Sequence, residues 1–470
     1  MPLPESMNLA VLGQGSTGLA VASWAAAHLG GAVSGVTVIG GAASEPTAKT
    51  RELEAAGVRF AYGTEEVDGS YDVCVASPGI SEFSDFFAHG RAHATEIMGE
   101  PELAWRLSPE RWIAITGTNG KTTTTALTDY LLNGAGMTSV AVGNIGDCII
   151  SCVDSRPAGS WFTAELSSYQ LATTREFRPR VGMLLNITPD HLAWHRTHEA
   201  YAYAKCRMFQ NMGEGDLAIV NVSDEGVRSV LDHIVAPGRR VLSLSLTDVA
   251  TDADAAFVRD SSLCVRLAGV EHVLVRADEL KIAGDHNVLN ALAASAAALF
   301  VGADPDAVRR GLKGFSPLEH RIEPAGEVDG VRFYNDSKAT NTDAVEKALT
   351  AFPSDRVVLL VGGHDKGTPL EGFVRAVASS SVEAVVCFGE ARDRFVRAFV
   401  EAEGTETIDI AEADNLRDAV DVARTLAHAG DVILLSPACS SFDEFSGFEE
   451  RGRVFKAYVE ELRGSLDGRR

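Results

Sequence analysis

Short, almost wholly apolar runs recur along this chain, each followed by a stretch with helical spacing, and that alternation restricts the fold more than any other feature. NLAVL (8–12), VTVI (36–39), DVCVA (72–76), WIAIT (112–116), GMLLNI (182–187) and LAIVNV (217–222) fill the first half; VVLLVGG (357–363), EAVVCFG (383–389) and DVILLSP (431–437) fill the last third. Runs of this kind between helical segments predict parallel sheets with covering helices, an α/β protein. Between 238 and 281 the runs shorten and alternate, as in VLSLSL and HVLVRA, which predicts a β-rich excursion.

A length of 470 residues suits about three domains, and 46% hydrophobic against 23% charged residues supplies packed cores. Seams are expected at 96–108, just before the strongest motif, and at 316–321, where a proline interrupts the pattern, giving domains 1–101, 102–316 and 317–470. A net charge of −23 argues against a nucleic-acid footprint, so any polyanionic ligand must be held by local cations and backbone amides. Seven cysteines without a Cys-x-x-Cys pair read as reduced, buried thiols of a cytosolic protein. The opening residues do not resemble a signal peptide. The longest apolar stretch, 288–303, contains Asn290 and Ser295 and is too short for a membrane span, so it reads as a buried Ala-rich helix. A cytoplasmic protein with no membrane or nucleic-acid partner is expected, and a monomer.

The strongest local signal is ITGTNGKTT (115–123), with an apolar strand before it and a helical pattern after it. It is a P-loop in mechanism: amides from Gly117, Thr118, Asn119 and Gly120 can wrap phosphate oxygens, Lys121 can reach the β- and γ-phosphates, and the Thr122 hydroxyl can hold Mg²⁺. Thr123 continues the run, and Ile115 stands where a generic P-loop has its first glycine, which makes a generic NTPase less fitting. GQGSTG (13–18), with Gly15, Ser16 and Thr17, also joins strand to helix. No carboxylate follows the second strand until Glu45, which disfavours a dinucleotide site and leaves open a fold-making turn or another phosphate ligand. SPGI (Ser77, Pro78, Gly79) puts a second loop at the same sheet edge.

Glu165 in AELSSYQL and His191 in NITPDH each follow apolar runs, which sets both at carboxyl ends of strands beside the P-loop, where they can hold a metal. Lys205 in YAYAKCRMF shares a helical face with Tyr201, Met208 and Phe209, so it either snorkels or is wanted as something other than a cation. Toward the C-terminus, NDSKATN (335–341), GGHDKG (362–367) and SPACSSFDEF (436–445) all follow strands. Asp336 suits a metal or nucleotide, and Lys338 and Thr340 suit a carboxylate, so the three loops predict a pocket for an anionic co-substrate.

Together with GNIG (143–146), GDHNVLNALAA, LEHRIE and SGFEERG, these motifs resemble the Mur ligase family, ATP-dependent amide ligases of peptidoglycan precursor synthesis, over essentially the whole chain. TGTNGK and the acid, histidine and lysine trio are shared with folylpolyglutamate synthetases; NDSKATN and SPACSSFDEF point to the D-glutamate-adding branch. The resemblance implies a Rossmann-like N-terminal domain holding a UDP-sugar, a central P-loop domain with a parallel or mixed sheet, and a Rossmann-like C-terminal domain that recruits the amino acid. It carries Gly15, Ser16, Thr17, Ser77, Pro78, Gly79 and Asn144 to the UDP-sugar, and Lys121, Thr122, Asn287, Asn290, Arg321 and Asp336 to ATP. It carries Lys338, Thr340, Lys366, Ser441, Phe442 and Phe448 to D-glutamate, and Thr122, Glu165, His191 and Lys205 to two Mg²⁺ sites, with Lys205 as a CO₂-derived carbamate. Lys121, His191 and Lys205 are the catalytic candidates. The implied reaction adds D-glutamate to UDP-N-acetylmuramoyl-L-alanine through an acyl phosphate; the alternative is a sibling ligase taking L-glutamate or another acceptor. Where that branch commonly has an acid after the second strand, this chain has Gly40 and Gly41.

Overall fold

A computed structural model describes residues 3–145, 147–190, 192–250, 252–316, 318–365 and 367–467. Three sheets carry the chain. In the first, five parallel strands run in the order Arg59–Ala61, Val33–Ile39, Met7–Leu12, Tyr71–Ala76, Ala94–Gly99. Strand order reverses between Met7–Leu12 and Tyr71–Ala76, and in an open parallel sheet the loops leaving such neighbours diverge to opposite faces and leave a crevice. GQGSTG leaves one of these strands and SPGI the other.

The second sheet has nine strands: Val270–Arg276, Ser262–Leu267, Ala255–Arg259, Arg240–Leu244, Leu217–Val220, Val181–Leu184, Trp112–Thr116, Trp161–Glu165 and Ser139–Gly143. Ser262–Leu267 pairs antiparallel with both of its neighbours, and every other pairing is parallel. The β-rich excursion read from the sequence is therefore a mixed extension of this sheet. Trp112–Thr116, which leads into the P-loop, is an inner strand, seventh in that order, and is buried at every residue, so its direction is held by partners on both sides. The Ala-rich run forms the helix Asp285–Phe300.

The third sheet runs Glu323–Val328, Val331–Asn335, Val432–Ala438, Val357–Gly362, Val382–Phe388, Asp409–Glu412, and its first pair alone is antiparallel. The chain divides into two compact units, Met1–Glu279 with Leu289–Lys313, and Leu280–Val288 with Gly314–Arg470.

Within the first unit, the expected seam at 96–108 is structured. Strand Ala94–Gly99 runs into helix Glu100–Leu107, which carries two fully buried carboxylates. Glu102 accepts the backbone N–H groups of Arg175, Glu176 and Phe177 at 3.0, 2.9 and 3.0 Å and pairs with Arg106. Glu100 accepts the Ile150 N–H at 2.6 Å, and burial pushes its carboxyl up to about 7. Buried carboxylates persist when donors surround them, so these bonds fix the N-terminal sheet to the elements beside the P-loop. Among the described residues no helix is long and apolar enough to cross a membrane.

Candidate functional site

The P-loop turns on two glycines with positive φ, Gly117 at 159° and Gly120 at 83°, and the helix Lys121–Gly134 begins at once. Gly120 has a second reason to lack a side chain: a Cβ there would stand 2.6 Å from Asn290 Oδ1, which places Asn290 against the loop. The helix N-terminus presents its free amides and the positive end of its dipole to the turn, an arrangement suited to phosphate.

The loop is held from the adjoining strand end. Asn186 Oδ1 accepts from the Asn119 N–H at 2.8 Å while Asn186 Nδ2 donates to the Asn119 carbonyl at 3.0 Å. Thr118 Oγ1 takes the Thr188 N–H at 2.9 Å and lies 2.9 Å from the Tyr201 hydroxyl. Asn186, Thr188 and Tyr201 brace the P-loop, a role that sequence reasoning missed. The only available signal was their place in NITPDH and in the face of the Lys205 helix.

Two lysines converge on one carbonyl. Lys121 Nζ donates to Gly117 O at 3.0 Å and Thr118 O at 2.8 Å, and Lys205 Nζ donates to Gly117 O at 2.8 Å. Lys205 belongs to the helix His198–Cys206, continued by a single tighter turn Arg207–Phe209, and Tyr201, Met208 and Phe209 are buried with it as the spacing foresaw. Its ammonium lies 4.5 Å from the Tyr201 ring centroid and the residue is 1% exposed. Burial, reinforced by the Lys121 charge, holds its pKa well below the ordinary lysine value, and Asp190 opposes that shift. This lysine does not snorkel.

Glu165 ends the strand next to Trp112–Thr116 and is 1% exposed. Its Oε1 accepts from Asn144 Nδ2 at 2.9 Å, while Oε2 is buried with no hydrogen-bond partner among the described residues. A buried, unpartnered carboxylate oxygen is costly unless a cation or donor faces it, so the residues beside the P-loop fit a bound divalent cation. Asn144, carried to the UDP-sugar by resemblance, has its side chain on Glu165. His191 lies outside the described residues.

In the N-terminal sheet the crevice is a cavity of about 650 Å³ lined by Gly15, Ser16, Thr17, Ser77, Pro78 and Gly79, together with Gly40 and Gly41. Gln14 Oε1 and Ser77 Oγ are buried in it without partners among the described residues. The two loops read separately from the sequence thus form one site.

In the second compact unit the three loops leave neighbouring strands Val331–Asn335, Val432–Ala438 and Val357–Gly362 at their carboxyl ends. Asp336 is buried, accepting Ser436 Oγ at 2.7 Å and the Ile322 N–H at 3.3 Å, and burial pushes its carboxyl up to about 7 although the Arg321 charge opposes this. Lys338 Nζ lies 3.7 Å from the Phe448 ring centroid, and the Thr340 N–H donates to the Lys338 carbonyl at 2.9 Å. Ser441 is buried with its Oγ unpartnered among the described residues, and Phe442 is 70% exposed. Asn287 donates from Nδ2 to Ala283 O at 2.7 Å. Lys366 lies outside the described residues.

Comparison with known proteins agrees with this geometry. The profile described as "Mur ligase middle domain" matches residues 115–298, and "Mur ligase, glutamate ligase domain" matches 320–439. The chain belongs to the Mur ligase family. Within it, the chain is 39% identical to the UDP-N-acetylmuramoylalanine--D-glutamate ligase of Pelotomaculum thermopropionicum over 96% of this chain and 97% of that one. It is 38% identical to the ligase of the same name from Thermoanaerobacter pseudethanolicus over 88% and 89%. Among solved structures, a pseudomurein peptide ligase type C from Methanothermus fervidus shares the fold at a TM-score of 0.58 and 16% identity, covering 97% of this chain and all of that one. The UDP-N-acetylmuramate-alanine ligase of Thermotoga maritima does so at 0.55 and 19%, covering 98% and 100%.

Proposed function

We propose that this chain is an ATP-dependent ligase that joins D-glutamate to UDP-N-acetylmuramoyl-L-alanine in the cytoplasmic synthesis of peptidoglycan precursors, acting as a monomer. The observation that carries the reading is the convergence of the P-loop, Lys121, the buried Lys205 and the half-satisfied Glu165 on adjoining strand ends. The names of its relatives supply the substrates. In this reading residues 1–101 hold the UDP-sugar in the 650 Å³ crevice, 102–316 bind ATP, and 317–470 recruit the amino acid.

An alanyl carboxylate is too poor an electrophile for an amine, so the γ-phosphoryl group of ATP is transferred to it first. Lys121, released from the Gly117 and Thr118 carbonyls, meets the phosphates that the Gly117–Gly120 amides cradle and offsets the repulsion between the two anions. Thr122, Glu165, His191 and Lys205 would hold Mg²⁺, which supplies further charge neutralisation when bound. A lysine kept neutral by burial can attack CO₂, forming an N–C bond and releasing a proton, so Lys205 serves as a carbamate anion rather than as a cation. The glutamate amine then attacks the acyl phosphate, phosphate leaves, and the amide remains. Asp336 and Arg321 complete the nucleotide contacts, and Lys338, Thr340, Lys366, Ser441, Phe442 and Phe448 receive D-glutamate.

The test is phosphate release by the purified protein. The expected result is release that requires ATP, the UDP-sugar and D-glutamate together; hydrolysis at the same rate without either co-substrate overturns the reading.

A further inference from the structure

The crevice of the N-terminal sheet has two chemically different ends. At one, the helix Ser16–Ala27 starts from Gly15 without a side-chain cap, and Gly15, Ser16 and Thr17 line the cavity. No lysine, arginine or histidine is among the described residues that line it, so a diphosphate there depends on backbone amides and the helix dipole. Ser77 Oγ belongs to this end, 3.0 and 3.1 Å from where a Cβ would stand on Gly13 and Gly18. At the other end strand Val33–Ile39 runs out into Gly40 and Gly41, and the lining is main chain, Ala42 and Ala43 with Phe86 beside them. An apolar wall so poor in side chains suits a planar base.

Gln14 reaches from the first end to the second. Its Nε2 donates to the Glu45 carbonyl at 3.0 Å, in the segment that follows the second strand. That bond fixes which way the amide points, since a flip would set oxygen against oxygen. Oε1 is thereby held in the cavity, buried and unpartnered among the described residues. The strand end cannot supply an acceptor in its place. A Cβ on Gly40 would stand 2.3 Å from Ser44 Oγ and 3.2 Å from Gln14 Oε1, so there is no room for a side chain. Ser44 Oγ is already engaged, donating to the Gly41 carbonyl at 2.6 Å and accepting the Gly63 N–H at 2.9 Å. Glu65, the one acid in the lining, is exposed. An acceptor buried without a donor is costly, and a ligand N–H that meets it removes the cost.

Pyrimidine bases differ at the position such an acceptor would read: uracil carries a hydrogen on N3, whereas cytosine presents a lone pair there. We infer that Gln14 selects the base of the bound nucleotide, its Oε1 accepting the N3–H of a uracil seated against Gly40 and Gly41. This rests on the ligase reading above and adds to it the residue that recognises the base.

The experiment measures Kd by calorimetry for UDP and for UDP methylated at uracil N3, on the wild type and on Gln14→Leu. The wild type is expected to prefer UDP by about tenfold or more, because a site built around a ligand N–H rejects the analogue that lacks it. In Gln14→Leu the preference is expected to fall below about threefold, through weaker binding of UDP and little change for the methylated ligand. A preference within about twofold of the wild-type value in Gln14→Leu overturns the inference, even where both affinities drop, since the side chain then acts on the phosphate or ribose and not on the base. Should Gln14→Leu fail to fold, Gln14→Ala is read by the same criterion. A wild type that binds UDP without preferring it to the methylated form also overturns the inference while leaving the UDP-sugar reading of the crevice in place. A wild type that binds neither overturns that reading itself.

Discussion

Replacing Asn186 with alanine removes the brace of the P-loop without touching a residue that meets ATP. Asn186 makes two bonds to Asn119, at 2.8 and 3.0 Å, one as acceptor and one as donor, so both main-chain groups of the residue before Gly120 are fixed by a single side chain. At a net 0.5–1.5 kcal/mol each, the pair contributes about 1–3 kcal/mol. The loop must hold its amides inward for phosphate, so the loss appears as the energy of re-ordering it on binding. That corresponds to an increase of about 5- to 150-fold in KM for ATP. The assay is steady-state ligation with the UDP-sugar and amino acid saturating, alongside thermal unfolding and titration with a fluorescent ATP analogue. The reasoning requires weaker ATP affinity with the KM values of the other substrates unchanged. An ATP KM within about twofold of wild type, accompanied by a lowered Tm, would show that the clamp serves stability alone and refute it.

Three further outcomes follow from the same contacts. In the proposed mechanism Lys205→Ala and Lys205→Met both remove the carbamate anion and should each reduce turnover by about a hundredfold or more, and short carboxylates should restore part of it in Lys205→Ala, which leaves them room. Lys205→Met should unfold at higher temperature than the unmodified wild type: the folded pKa of Lys205 is depressed, so wild-type stability rises with pH between that value and the unfolded 10.5, and the variant lacks this penalty. Glu100→Gln keeps an acceptor for the Ile150 N–H but cannot ionise. The folded pKa of Glu100 is raised from 4.5 to about 7, so its stabilisation is complete below 4.5 and is lost as pH rises to 7. At 1.36 kcal/mol per unit the variant should gain up to roughly 3 kcal/mol over wild type above pH 7, read as a difference in denaturant midpoints. Gly79→Ala should leave Tm unchanged, since a Cβ there meets nothing within 4 Å, yet raise KM for the UDP-sugar by about tenfold if the crevice is filled by that ligand.

Much of this architecture was legible in the sequence because parallel strands buried on both faces read as continuous apolar runs, and the loops at their carboxyl ends are forced together by the sheet. That is why GQGSTG and SPGI line one crevice and why NDSKATN, GGHDKG and SPACSS leave neighbouring strands. Lys205 was legible for a related reason: a lysine on the apolar face of a helix has few options once Tyr201, Met208 and Phe209 are packed around it. What escaped were polar side chains whose partners are distant in the chain. The pairing of Asn186 with Asn119 and of Asn144 with Glu165 has no periodic signature, and Glu100 and Glu102 sit in a polar-looking segment that reads as a seam. Arg451, in the sequence only one part of the SGFEERG motif, is shown by the tertiary structure to be buried, donating to the carbonyls of Ser337, Cys439 and Ser440.

The most direct test is a side-by-side assay of the purified protein with ATP, UDP-N-acetylmuramoyl-L-alanine and, in separate reactions, D-glutamate, L-glutamate, lysine and diaminopimelate, with the amide product weighed by mass spectrometry. The account predicts one amide formed per ADP released, with D-glutamate and not with the other three. Equal product from L-glutamate, or ADP release with no new amide, would contradict it.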